Sequence, residues 1–195
     1  MISVDETVFF WINGLAGKIP TIDGIIRVLS CDIFTPAVMI LALMAIWFGG
    51  RDQVRRERHQ RAVFCALASM GFAHLIVAIF NAFYDHPRPF EAFPDQVNLI
   101  FYPPTDPSFP SNAAAAFFAL AIGIFVFNRK LGMILLIPAI IVSFGRVYMG
   151  IHYPLDIIGG FLVAIVATSV ALLVLKLAEP IPSWCLKLAR KAYLA

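Results

Sequence analysis

Charge is what this chain has least of. Acidic and basic residues together make up 14% of its 195 positions, while 61% are apolar. A water-soluble domain carries about 25% charged and about 45–50% apolar residues, so an ordinary soluble enzyme is excluded. Cysteine is scarce as well. The three present, Cys31, Cys65 and Cys185, have no metal-ligand spacing, so neither a disulfide framework nor a cysteine metal cluster is indicated, and they read as membrane-packed thiols. The N-terminus lacks the basic flank of a cleavable signal peptide and offers Asp5 and Glu6 instead. The net charge of +3 says little until its distribution is followed along the chain.

What the chain does have is apolar sequence in long blocks, which makes it an integral membrane protein. The expected fold is all-α: a polytopic transmembrane helix bundle of five to six spans with interfacial helices, residues 1–195 forming one membrane-embedded domain. Five spans are predicted at about 24–49, 62–82, 111–127, 131–149 and 156–177, the first irregular near Pro36. Residues 4–16 are too short and too polar to cross about 30 Å of hydrocarbon, and Phe9, Phe10 and Trp11 suit a helix lying in the interface. A sixth span would require that segment to insert. The tail, with Trp184, Lys187, Arg190 and Lys191, reads as a second interfacial helix. His74 and Asn81 fall two turns apart on one face of the second span. For His74 the expectation is an interhelical hydrogen bond.

The connections differ in charge. Between the first two spans, residues 51–61 hold five arginines. Such a run also occurs in nucleic-acid and anionic-lipid patches, but beside membrane spans it reads as a short cytoplasmic loop, and no nucleic acid partner is expected. Asn128-Arg129-Lys130 and the tail fall on the same side and are also basic. On the other side lie 83–110 and 150–155, where Asp85, Glu91, Asp95 and Asp106 outnumber Arg88. The positive-inside bias therefore puts the second pair of loops outside. A connection as long as 83–110 is uncommon unless functional or disordered, and its density of proline and aromatic residues predicts an ordered, lid-like structure.

Ser143 to Asp156 joins two apolar runs and yet holds Arg146, His152 and Asp156. Ionisable groups at the edge of such segments are functional candidates by default. Pro154 disfavours helix at Tyr153, so His152 is predicted in a turn and Asp156 at the start of the next helix. A carboxylate there can orient the imidazole and leave its other nitrogen free to attack. The plainer reading is a loop with a snorkelling arginine and an aspartate offsetting a helix dipole. The outward loops also bring Arg88 and the helix start Ser111-Asn112 to the same side. Two guanidinium forks and a helix N-terminus are the usual grip on a phosphate, with His152 then aimed at phosphorus.

In order and spacing, Arg88-Pro89, Pro110-Ser111 and Arg146/His152/Asp156 resemble the type 2 phosphatidic acid phosphatase family, the membrane branch of a superfamily shared with vanadium haloperoxidases. The resemblance covers nearly the whole chain from the first span onward. It implies that Arg88 and Arg146 bind phosphate, that Ser111 hydrogen-bonds it, and that His152 becomes a phosphohistidine, with no metal or other cofactor. Gly145 stands where the family has serine. The family's lysine falls on Asn81, a neutral donor, and short bacterial members of the bacitracin-resistance type of undecaprenyl-diphosphate phosphatase also lack that lysine. The opening Phe-Trp-Ile-Asn-Gly-Leu-Ala-Gly and the Asp-Pro-Ser-Phe-Pro-Ser-Asn block look like the same subgroup.

One departure is graver. Where the family places its second histidine, the general acid, this chain has Ala113 after Asn112. Either the chain is a natural member that binds phosphates without turning them over, or the alanine is a deliberate substitution; the intact remainder of the motif favours the second. General acid catalysis is worth about 10²–10⁴-fold, so the loss should harm monophosphates, which release an alkoxide, more than diphosphates, which release a lipid phosphate. His86, near Arg88, is read as an ordinary loop histidine and not as a replacement proton source. The resemblance implies a phosphatase of the bacterial cytoplasmic membrane, its site facing outside, that removes the terminal phosphate of undecaprenyl diphosphate to recycle the cell-wall carrier lipid. Asn81, Arg88, Ser111, Asn112 and Arg146 would hold the substrate, and His152 and Asp156 would act on it. Phosphatidylglycerophosphate, phosphatidic acid and lipid A phosphates are the alternative substrates, and a non-catalytic lipid-binding or transport protein is the alternative class.

Overall fold

Most helix starts in this sequence are marked either by a capping side chain or by proline at the first helical position. In the computed structural model, which describes residues 3–191 apart from the side chain of Arg190, Ser3 and Glu6 make a reciprocal capping box for α1 (Val4–Asn13). Proline at the first helical position opens α2 (Pro20–Leu29), the single turn α5 (Pro89–Ala92) and α8 (Pro154–Leu177). Asp52 caps α4 (Gln53–Phe83) by accepting from the N–H of Arg55, and Ser111 caps α6 (Asn112–Phe127) by accepting from that of Ala114. Asn128 closes α6 with its backbone N–H and starts α7 (Arg129–Tyr148) with its side chain. The remaining helices are α3 (Phe34–Phe48) and α9 (Ile181–Lys191). Among the described residues there is no strand.

Among the described residues three helices, α4, α7 and α8, are long and apolar enough to cross a membrane, and a fourth crossing results if α2 and α3, bent by 44° at their junction, are taken as one broken span. The expectation of five to six spans is not met by that measure. The shortfall is α6, whose 16 residues rise only about 24 Å at 1.5 Å per residue. α6 is nonetheless the axis of the bundle. Its alanine-rich first half is buried almost without a break from Ala114 to Ala121, and α4, α7 and α8 pack around it. Small side chains let the helix backbones approach closely, which is how apolar helices gain packing where lipid offers no hydrophobic drive.

Several boundaries depart from the sequence reading. The basic stretch 51–61 is not a loop: from Gln53 onward it is the first part of α4, started by Asp52 and supported by the Glu57–Arg61 pair one turn apart at 3.3 Å. The first apolar segment breaks at residues 30–33 and not at Pro36, which sits in the first turn of α3, where a missing N–H costs nothing. Residues 4–16 do not merely lie in an interface. Phe9 is fully buried against Val147 and Tyr153, and the Asn13 amide donates to the carbonyls of Asn98 and Tyr148, so α1 closes one end of the bundle. Long as it is, 84–111 is ordered by such contacts, among them Ser108 N–H to His86 O and Ile100 N–H to Met149 O.

The two ends of the bundle differ. Arg61 reaches Glu179 at 2.6 Å and Ser183 at 2.7 Å, and His59 lies 3.4 Å from Asn128. These contacts gather the start of α4, the α6–α7 turn and α9, all basic, at one end. The proline-rich connection and the turn between α7 and α8 meet at the other.

Candidate active site

The turn after α7 sets the chemistry. Met149 ends the helix, and Gly150 turns the chain at φ 86°, a conformation that favours glycine; a Cβ there would also lie 2.7 Å from Val97. Pro154 keeps Tyr153 extended (φ −81°, ψ 158°), and the Tyr153 N–H donates to Asp156 Oδ2 at 2.8 Å. His152 therefore sits in the connector and Asp156 in the first turn of α8, as the spacing predicts.

Around His152 every contact has a direction. Its Nδ1 lies 3.3 Å from Asp156 Oδ2 and its Nε2 lies 3.3 Å from Arg88 Nη1. A guanidinium only donates, so Nε2 accepts and carries no hydrogen, and the proton belongs on Nδ1 facing the carboxylate. Ser108, which the sequence reading did not single out, donates to the same Asp156 oxygen at 2.5 Å and stands 3.4 Å from His152 Nδ1. Burial pushes the imidazole pKa below its ordinary value. The Asp156 hydrogen bond opposes that shift, and the positive fields of Arg88 and Arg146 add to it. The result is a neutral imidazole whose unprotonated nitrogen faces the cavity side.

The two arginines are deeply placed, 3% and 6% exposed for Arg88 and Arg146, and each has a carboxylate. Arg88 donates from Nη2 to Asp106 Oδ1 at 2.9 Å, from Nε to the Asp106 carbonyl at 2.8 Å and from Nη1 to the Ile151 carbonyl at 2.8 Å. It thus ties the proline-rich loop to the His152 turn. Arg146 pairs with Asp32, which also accepts from Tyr102, and its guanidinium lies 5.1 Å over the Phe101 ring. Its Nε is buried without a protein partner. Neither Asp32 nor Asp106 was expected in this role, although Asp32 is an acid inside an apolar block, the same signal that pointed to Arg146. Gly145 makes the Asp32 side possible. A Cβ at that position would fall 1.8 Å from Ser30 Oγ, so the serine of the family motif would push away the α2–α3 junction that carries Asp32.

A cavity of about 410 Å³ opens on this cluster. Arg88, Arg146, His152, Asn112 and Ala113 line its polar end, together with Asp32, Asp106 and His74. Its walls then continue between α3, α4 and α6 through Met39, Leu43, Leu67, Met70 and Leu120. A polar end and an apolar depth are the shape of an amphiphile.

Two expected residues, Ser111 and Asn81, are placed otherwise. Ser111 is fully buried and is not among the residues lining the cavity; its hydroxyl accepts from Ala114 N–H at 3.4 Å and its N–H donates to the Asp156 carbonyl at 3.0 Å, so it caps α6 and braces α8. Asn81 is also away from the cavity wall, because the last turns of α4 run past the start of α6 toward Phe109, and its Oδ1 is buried unpaired. Asn112 lines the cavity, but its side-chain oxygen is engaged by His74 at 2.7 Å. His74 makes the interhelical bond expected of it. His86 packs against Tyr84 and Tyr153 and does not line the cavity.

Residues 62–179 match the PAP2 superfamily. Undecaprenyl-diphosphatase BcrC of Bacillus subtilis is 30% identical over 159 residues, covering 82% of this chain and 78% of that protein. The putative undecaprenyl-diphosphatase YbjG of Escherichia coli is 26% identical over 169 residues, 84% and 79% of the two chains. The crystal structure of Aquifex aeolicus LpxE shares the fold with a TM-score of 0.69 at 24% identity, covering 87% of this chain and 95% of that one. A PAP2 type phosphatidylglycerolphosphate phosphatase from Bacillus subtilis does so with a TM-score of 0.60 at 16% identity, covering 90% and 88%.

Proposed function

Since the chain belongs to the PAP2 superfamily, we propose that it is a membrane phosphatase that removes the terminal phosphate of a polyprenyl diphosphate, with undecaprenyl diphosphate as the physiological substrate. The observation that carries this reading is the contact of Arg88 Nη1 with His152 Nε2 at 3.3 Å, with Asp156 behind the ring. The terminal phosphate takes the place of that contact. Its oxygens draw the N–H groups of Arg88 and Arg146 away from imidazole and carboxylates, and the released Nε2 lone pair then faces phosphorus. Asn112 and Ala113 present the first turn of α6 and its positive dipole end to the same anion. Attack gives a phosphohistidine at His152, and the imidazolium character that develops is stabilised by Asp156. Water then frees phosphate. The isoprenoid chain lies along Leu43, Leu67 and Leu120 between α3, α4 and α6.

The names of the relatives favour polyprenyl diphosphate over the glycerophospholipid and lipid A phosphates. The basic end formed by α4, the α6–α7 turn and α9 favours a site facing outward from the bacterial cytoplasmic membrane. Ala113 supports the competing reading, a protein that holds a lipid phosphate without cleaving it.

Incubating the purified chain with farnesyl diphosphate and undecaprenyl diphosphate in detergent, and measuring released phosphate, tests the proposal. Turnover is expected on both. Binding of the lipids with no release would overturn the enzymatic reading. The pH profile adds a second check. The nucleophile must be neutral and burial lowers its pKa, so kcat should hold as pH falls to about 6.5, the ordinary histidine value, and decline only below it. An acid limb centred above that value would contradict the burial of His152.

A further inference from the structure

We propose that His74 of α4 is the proton donor to the leaving oxygen, standing in for the imidazole that Ala113 does not provide. The inference rests on the phosphatase reading above and deepens it.

His74 lines the same cavity as Arg88, Arg146 and His152, and its Nδ1 lies 2.7 Å from Asn112 Oδ1. Asn112 is the first residue of α6 and Ala113 the second, also on the cavity wall. An imidazole from α4 is thus held against the helix start from which the missing one would have projected. Ser69, five positions earlier on α4, is buried and bonds back to the Cys65 carbonyl of its own helix, whereas His74 reaches across to α6 and lines the cavity.

The direction of the bond fixes the chemistry. An amide oxygen accepts, so Nδ1 carries a hydrogen, and the ring can lose only the proton on Nε2. In the cationic form both nitrogens are protonated. As His152 Nε2 forms its bond to phosphorus, the bond from phosphorus to the leaving oxygen breaks and takes up the proton from His74 Nε2. His74 remains as the neutral Nδ1–H tautomer that Asn112 already holds. In the second half, water attacks the phosphohistidine, its proton returns to His74 Nε2, the N–P bond breaks and phosphate departs. Asn112 is a positioning residue in this scheme. The charged and titratable groups sharing the cavity with His74 are Asp32, Arg88, Tyr102, Asp106, Arg146 and His152.

The test compares leaving groups. A donor matters most when the departing oxygen is basic, as in dioctanoyl phosphatidic acid, and least for the phenolate of p-nitrophenyl phosphate. His74→Gln, which keeps a side-chain amide able to meet Asn112, is expected to lower kcat on dioctanoyl phosphatidic acid by about 10²-fold and on p-nitrophenyl phosphate by less than about threefold. Adding Ala113→His to His74→Gln should restore the lost activity. Equal losses on both substrates, or no loss on either, would overturn the assignment. If the unsubstituted chain is inactive on every substrate while Ala113→His alone is active, the phosphatase reading stands and His74 is not the donor. If neither releases phosphate, the phosphatase reading falls and takes this one with it.

Discussion

Changing His152 to alanine brings phosphate release down to background, a fall on the order of 10⁴–10⁶-fold, the range seen when a covalent nucleophile is removed from a preorganised site. The size of the effect follows from what stays behind. Arg88 keeps its bonds to Asp106 and to the Ile151 carbonyl, and Arg146 keeps Asp32, so the anion grip survives the loss of the ring. Substrate binding should therefore be nearly unchanged while chemistry stops. Brief reaction with a terminally labelled diphosphate, quenched in alkali, should leave acid-labile phosphate on the parent chain and none on His152→Ala. A variant that retained more than a few per cent of the parent rate would mean that another group attacks phosphorus.

The second large effect is expected from Asp156→Asn, at about 10²–10⁴-fold in kcat, comparable to replacing the aspartate that orients a catalytic histidine elsewhere. Asp156 Oδ2 accepts from Tyr153 N–H, from Ser108 and from the His152 side. An asparagine can keep the helix-capping acceptor, so the turn should fold, but it no longer supplies a negative charge beside Nδ1. The imidazole then loses the partner that holds its tautomer and stabilises the positive charge it gains on phosphorylation. KM should change little. Ser108→Ala, which removes only a donor to the same oxygen, is the milder comparison; a loss as large as that of Asp156→Asn would shift the weight of the site from the carboxylate to the hydroxyl.

Much of this site was legible in the chain. Arg88, Arg146, His152 and Asp156 stand out because an ionisable group in so apolar a sequence needs a reason, and proline before the aspartate places it one turn after the histidine. Asn112 and Ala113 follow from the cap at Ser111. What escaped were partners that no local pattern announces. Asp32 and Asp106 meet their arginines across 114 and 18 positions of sequence, and Ser108 reaches Asp156 only because the Arg88 clamp folds the proline-rich loop back over the turn. The same holds for Ser111 and Asn81. Counting along a helix gives the face but not the depth, and α4 runs on past the start of α6, carrying Asn81 beyond the cavity. In the basic stretch 51–61, charge alone suggests a loop, and it is the Asp52 cap that makes the same residues helical.

The shortness of α6 has a consequence of its own. Its first residue bonds to His74, nine positions before the end of α4, which sets that level about 13 Å short of the α4 terminus. On the proposed function the reacting phosphorus would therefore lie well below the end of α4, at the floor of the cavity. If α6 crosses, it is about 6 Å short of the usual thickness, and the bilayer around it would have to thin. On that reading lipid would enter from the side between α3, α4 and α6, and water, a reactant in the second half-reaction, would have to reach the site past the polar rim of Asp106, Tyr102 and Asp32. Hydration of the cavity, as much as the chemistry at its floor, would then govern how long the proposed phosphohistidine lasts.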